Sequence, residues 1–187
     1  MCWLLILGLF LWSGVHLFPS IARGTREKLI SKLRLGPYKG IFALLIVSSI
    51  VLIVIGWRNT EPAVVYTPLN WGRYITFFLV LLTFILFVAA RRKTNIKQIL
   101  RHPQLTGLSL WGVGHLIANG DNRSLILFGW LTVWAILEMI IINLREGAWI
   151  RPETVPVKSD VITVIVGSIL YAVFLWVHPY LSGINLI

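Results

Sequence analysis

The sequence predicts an all-α integral membrane protein: one domain over residues 1–187, a six-transmembrane-helix bundle with its N- and C-termini outside. Three observations predict it. The chain is 57% hydrophobic and only 13% charged, more apolar surface than a soluble domain of this length has interior to hide. Long apolar runs recur from one end to the other, so lipid is the natural solvent. Basic residues concentrate in alternate connections, the pattern of a chain threaded back and forth through a bilayer.

The apolar runs cover residues 2–18, 41–57, 75–90, 105–118, 125–144 and 161–181. Most approach the roughly 17–25 residues a helix needs to cross ~30 Å of hydrocarbon. The fourth is short, and Gly120, Asp121 and Asn122 read as a tight turn into the fifth. A re-entrant hairpin of the fourth and fifth runs is the competing reading, and the charges decide against it. The connection after the first run holds Arg23, Arg26, Lys28, Lys32, Arg34 and Lys39. That after the third holds Arg91, Arg92, Lys93, Lys97 and Arg101, and that after the fifth holds Arg145, Arg151 and Lys158. The remaining connections hold only Arg58, Arg73 and Arg123. The alternation survives only if every run crosses, with the basic connections in the cytoplasm.

The net charge of +10 is therefore a topology signal. It does not point to nucleic acid, since no soluble domain carries an aromatic and basic groove. The first run is read as a retained helix. It lacks a basic leading region and a small-residue cleavage site, and a cationic segment follows it. Residues 25–35 interleave Leu29, Ile30 and Leu33 with basic side chains, which predicts a short helix on the inner surface attracted to anionic lipid. Trp3, Trp57, Trp71, Tyr74, Trp149 and Tyr180 fall near run ends, where amphipathic rings prefer the interface. Residues 151–156 read as a connecting loop.

Chemistry is narrowed by what is missing. Cys2 is the one cysteine, so an internal disulfide, a multi-cysteine zinc site, an iron–sulfur cluster within one chain and a covalently attached haem are all excluded. No Ser-His-Asp set, phosphate-binding glycine loop or H-E-x-x-H helix occurs. The histidines remain. His16 ends the first run, His102 opens the fourth, His115 lies inside the fourth and His178 ends the sixth. Imidazoles at membrane depth are costly unless they face a partner or a cavity; for those at run ends, interfacial packing is the plainer reading. Depth alone pairs His16 with His102 and His115 with His178. Joining His16 to His115 needs tilted helices or a large flat ligand.

Gly107, Trp111 and His115 share one helical face at i, i+4 and i+8, and Gly112 and Gly114 flank the imidazole. Small residues there admit either a ring or, more plainly, a neighbouring helix. Glu138, the carboxylate inside the fifth run, is expected to be paired or to snorkel towards the basic side, with a proton relay as the functional alternative. Asp121 and Asn119 are expected to cap the turn between the fourth and fifth runs.

The sequence resembles the NnrU family of bacterial membrane proteins over its full length. The residues that carry the likeness are Gly14-Val15-His16, Arg101-His102-Pro103-Gln104 with Gly107, Trp111, and His115-Leu116-Ile117-Ala118-Asn119-Gly120-Asp121. Leu127-Phe128-Gly129 and His178-Pro179 with Gly183 complete the set. The resemblance implies a multi-pass protein of the bacterial cytoplasmic (inner) membrane, linked with denitrification and nitric oxide metabolism. The same domain is similar to the 15-cis-ζ-carotene isomerases, which use non-covalent b-type haem to isomerise a cis double bond. Their ligand histidines match His16 and His115, with Trp111 beside the second, so the resemblance implies haem b on that pair with His102 and His178 as alternates. A cysteine of those isomerases falls here on Gly112, which argues against ligand switching by a thiol. Residues 101–120 also resemble the isoprenylcysteine carboxyl methyltransferases, but the Glu pair of their cofactor element is absent from Asn143-Leu144-Arg145-Glu146-Gly147.

Three functions follow as expectations. The first is a haem protein that isomerises an apolar polyene or handles a small gas. The second is a non-catalytic accessory protein for a membrane oxidoreductase, which would co-purify with its partner and tolerate single His substitutions. The third is methyl transfer, which demands S-adenosylmethionine binding.

Overall fold

A computed structural model describes residues 2–186. The described residues form eight helices: α1 (Trp3–Ile21), α2 (Arg23–Leu33), α3 (Leu35–Arg58), α4 (Gly72–Arg91), α5 (Ile96–Ile99), α6 (Pro103–Ala118), α7 (Asn122–Glu146) and α8 (Val157–Ser182). No strand occurs among them, only an isolated bridge between Val64 and Asp121. Five helices, namely α1, α3, α4, α7 and α8, are long and apolar enough to cross a membrane. The chain is a helical, multi-pass membrane protein. At 16 residues, α6 spans roughly 24 Å at 1.5 Å per residue.

The six larger helices pack in the order α3–α1–α7–α6–α4–α8, each chiefly against its neighbours in that order. Neighbours in sequence run in opposite directions. Leu5 at the start of α1 meets Gly56 at the end of α3, and Arg123 at the start of α7 lies over Trp57, 4.6 Å from its ring centre. Ala63 to Tyr66, ahead of α4, bond to Gly120 and Asn122 between α6 and α7. Arg73 donates to the Leu186 carbonyl. All of these lie at one end of the bundle. At the other end, Arg101 reaches Glu146 and Gly147, and Asn95 holds Val155 and Asp160. Fourteen of the seventeen basic residues lie at or near that second end, called the basic end below.

Without a hydrophobic force between helices in lipid, close backbone approach and interhelical hydrogen bonds do the packing. A Cβ on Gly56 would sit 2.2 Å from the Leu5 nitrogen, and one on Gly112 2.0 Å from Thr132 Oγ1. Thr83 Oγ1 donates to the Gly107 carbonyl at 2.9 Å and Thr76 Oγ1 to that of Gly114 at 2.6 Å, fastening α6 to α4. The glycines of α6 therefore serve helix contacts. The expected surface helix forms as α2, none of whose residues is buried. Two details differ from the sequence reading. α3 begins at Leu35, because helix continues through polar residues ahead of the apolar run, and the four-residue α5 interrupts the connection to α6.

Candidate functional site: two pinned imidazoles and a cavity

Both α1 and α6 carry the pattern Trp-x-x-x-His, and helical geometry gives it one outcome twice. Residues i and i+4 lie on one face, so the imidazole falls back over the preceding turn. His16 Nδ1 pairs with the Trp12 carbonyl at 2.9 Å, and His115 Nδ1 pairs with the Trp111 carbonyl at 2.8 Å. A carbonyl only accepts, so each Nδ1 carries the proton and each Nε2 presents a lone pair. In each case the Trp ring lies beside the imidazole, at 4.2 Å for Trp12 and 4.7 Å for Trp111. A ring nitrogen held by a backbone carbonyl is the usual outer support of a metal-binding histidine, since it fixes tautomer and orientation.

The surroundings separate the two. His16 opens onto a cavity of about 550 Å³ near the basic end, whose walls include His102, Lys97, Arg101, Trp134, Glu138 and Trp149. His115 is absent from that lining. It is stacked under Phe128, ring centres 4.4 Å apart at an interplanar angle of 24°. Trp134, which contacts His16 at 5.6 Å, and Phe128 are six residues apart on α7, a step of roughly 9 Å along the axis.

The alternates are differently engaged. His102 is the residue before α6, shares the cavity with His16, and bonds through Nε2 to Asn143 Oδ1 at 2.8 Å. His178 Nδ1 pairs with the Ile184 carbonyl at 3.1 Å and with Ser182 Oγ at 3.0 Å, and His178 lies within electrostatic reach of His115. Among the described residues no three His, Cys, Asp or Glu side chains converge closely enough to cage a bare metal ion. Nε2 of His16, on α1, and Nε2 of His115, on α6, are nitrogen donors without a hydrogen-bond partner among the described residues.

Glu138 does not snorkel. It is 6% exposed, Ser20 Oγ donates to its Oε1, and its Oε2 has no partner. The reason is local: Glu138 faces α1 on the buried side of α7, and among the described residues no Lys or Arg forms an ion pair with it. Asp121 and Asn119 behave as turn chemistry requires. Asp121 accepts from the Ser124 N–H at 3.0 Å at the start of α7, and Asn119 donates to the His115 carbonyl at 2.8 Å at the end of α6.

Sequence reasoning missed Trp134, which walls the cavity and touches both Trp12 and His16. The signal was present: Trp130, Trp134 and Glu138 recur at i, i+4 and i+8 on α7, a stripe that faces α1. It also missed Tyr66, whose hydroxyl donates to the carbonyls of Leu116 and Asn119 and closes the end of α6.

A family model described as NnrU protein matches residues 4–186. No curated protein and no solved structure matches the chain.

Proposed function

The chain belongs to the NnrU family, and on that premise we propose that it binds b-type haem through Nε2 of His16 and Nε2 of His115. The observation that carries the proposal is the repeated device: two neutral imidazoles, each with Nδ1 pinned to a Trp carbonyl four residues back and Nε2 left open. His102 is held the other way round: its Nε2 is engaged by Asn143 Oδ1, so the nitrogen left open is Nδ1, the one nearer the backbone and harder for a bulky planar group to reach. The cavity beside His16 supports the reading, with Trp134 and Trp149 as apolar walls and Lys97 and Arg101 as cations suited to carboxylate side groups. Phe128 covers His115, so the Phe128 ring has to swing aside for one group to reach both histidines; side-chain rearrangement of this kind is common on binding.

When bound, such a group supplies a redox-active iron centre that can hold nitric oxide or act on the cis double bond of an apolar polyene. Trp12 and Trp111 orient the imidazoles and shield them from lipid. The topology is part of the same proposal: six crossings of the bacterial inner membrane, α6 included, with the basic end in the cytoplasm and both termini outside. The alternating direction of the helices and the charge asymmetry support it.

An absorption spectrum of the protein purified after haem-replete expression tests the proposal. The expected result is a Soret band that His16→Ala and His115→Ala each reduce at least tenfold, while His102→Ala and His178→Ala leave it in place. Absence of the band in the unmodified protein overturns the haem reading. A band that survives His115→Ala overturns the ligand pair.

A further inference from the structure

Two residues that line the basic-end cavity each bury a polar atom with no partner among the described residues. Glu138 is 94% buried, judging from its 6% exposure, and Oε2 accepts nothing while Ser20 occupies Oε1. Trp134 is 7% exposed, and its Nε1–H donates to nothing. Both residues line the same cavity. They are four apart on α7, so their Cβ atoms are roughly 5–6 Å from each other on one face. An unpaired buried donor or acceptor costs about 1–3 kcal/mol, and unsatisfied polar groups on residues beside a cavity are candidates to meet a ligand's own polar atoms once side chains adjust.

The pair is one acceptor and one donor, and a hydroxyl satisfies both at once. Its O–H donates to Glu138 Oε2 and its oxygen lone pair accepts from Trp134 Nε1–H. A carbonyl oxygen serves only the Trp, and an ammonium serves only the carboxyl group. Trp149, Leu105, Ile142 and Pro103 give the cavity an apolar wall, opposite in character to Lys97, Arg101 and His102, which also line it. The apolar wall suits a flat hydrophobic body that reaches the site from the membrane.

We propose that Glu138 and Trp134 form a hydroxyl-binding subsite of this cavity, which takes the O–H of a membrane-soluble phenol. The proposal names a ligand class for the cavity onto which His16 opens. It rests on that cavity being a binding site and not on haem occupying it.

The test compares 2-naphthol with 2-methoxynaphthalene, which keeps the ring system and the oxygen but has no O–H. Affinities for the detergent-solubilised full chain are measured by equilibrium dialysis, corrected for partition into protein-free micelles. The unmodified protein is expected to prefer the naphthol at least tenfold. Glu138→Leu abolishes the preference, Trp134→Phe lowers it about threefold, and Ser20→Ala leaves it intact. If Glu138→Leu does not fold, Glu138→Gln replaces it; this variant keeps one acceptor oxygen and is expected to lower the preference by less than tenfold without abolishing it. Equal affinities in the unmodified protein, or a preference that survives Glu138→Leu, overturn the subsite. Haem absorbance recorded on the same samples separates the two ideas: a missing Soret band with an intact naphthol preference removes the haem reading alone, and the converse removes only the subsite.

Discussion

The Trp12–His16 unit of α1 and the Trp111–His115 unit of α6 are alike within their own helices and unlike outside them. Each places an imidazole Nδ1 on the carbonyl four residues back, at 2.9 Å and 2.8 Å. Around His16 the packing leaves an opening: the rings of Trp12, Trp134 and Phe42 stand beside the imidazole, which also borders a cavity. Around His115 it is tight. Gly112 and Gly114 bring α7 and α4 against α6, Phe128 covers the ring, and the Tyr66 hydroxyl ties down the helix end. One local motif thus yields an open imidazole and a covered one, and the difference belongs to the neighbours.

That contrast predicts unequal responses to equal changes. The largest is expected at Gly112, where a side chain collides with Thr132 Oγ1 and with the Phe128 carbonyl. Gly112→Val is expected to cost about 3 kcal/mol or more, at the upper end for overpacking, and to pull Phe128 off His115. Loss of thermal stability in detergent checks it, and a melting point within a degree of the parent's would show that α6 and α7 are not in close contact. On α1, Gly14, two residues before His16, meets no neighbour within 4 Å, and Gly14→Ala is expected to raise stability by roughly 0.5–1 kcal/mol through helix propensity.

Phe128→Leu removes the stacked ring from His115 while keeping apolar volume. It is expected to cost about 1 kcal/mol and to speed haem uptake severalfold, read by stopped-flow absorbance. Uptake at the parental rate would show that Phe128 does not gate the second imidazole. On the His16 side, where the residue already lines a cavity, no single ring removal is expected to change the uptake rate by more than about twofold.

The smallest effect concerns the clamp at the far end of α6. Loss of hydration, with the nearby Asp121 carboxylate adding to it, pushes the Tyr66 phenol above its ordinary value of 10.0. Its folded form therefore holds the proton more tightly than the unfolded chain does. The stabilising contribution is complete below pH 10 and is lost as pH rises through the folded value. Deprotonation also removes the donor that serves Leu116 and Asn119. Amide exchange in residues 116–120 is expected to accelerate above pH 10 in the parent beyond the intrinsic base-catalysed increase, and Tyr66→Phe is expected to remove that excess.

Much of the molecule was legible from residue chemistry alone. Hydropathy located the long helices because lipid solvates each one independently, so a helix announces itself without reference to its neighbours. Charge gave the alternation of the connections, since each is sorted by its own Lys and Arg content. The Asp121 cap and the surface helix α2 were equally local. The pinning of each imidazole follows from i, i+4 geometry within one helix, but the choice of His16 and His115 as a pair came from the family resemblance, since depth along the helices alone favours other pairings.

What the sequence by itself determined is what has its cause within about four residues or within one helix: the helical class, the long apolar helices, the surface helix and the cap at Asp121. The packing order, α3–α1–α7–α6–α4–α8, was decided only by the tertiary structure. So were the seating of Glu138 against Ser20, 118 positions away, and the covering of one histidine but not the other. Lipid makes every apolar face acceptable in advance, so hydrophobicity does not choose neighbours. Shape does, through glycines and threonines that meet a specific partner, and that match is written in no single helix.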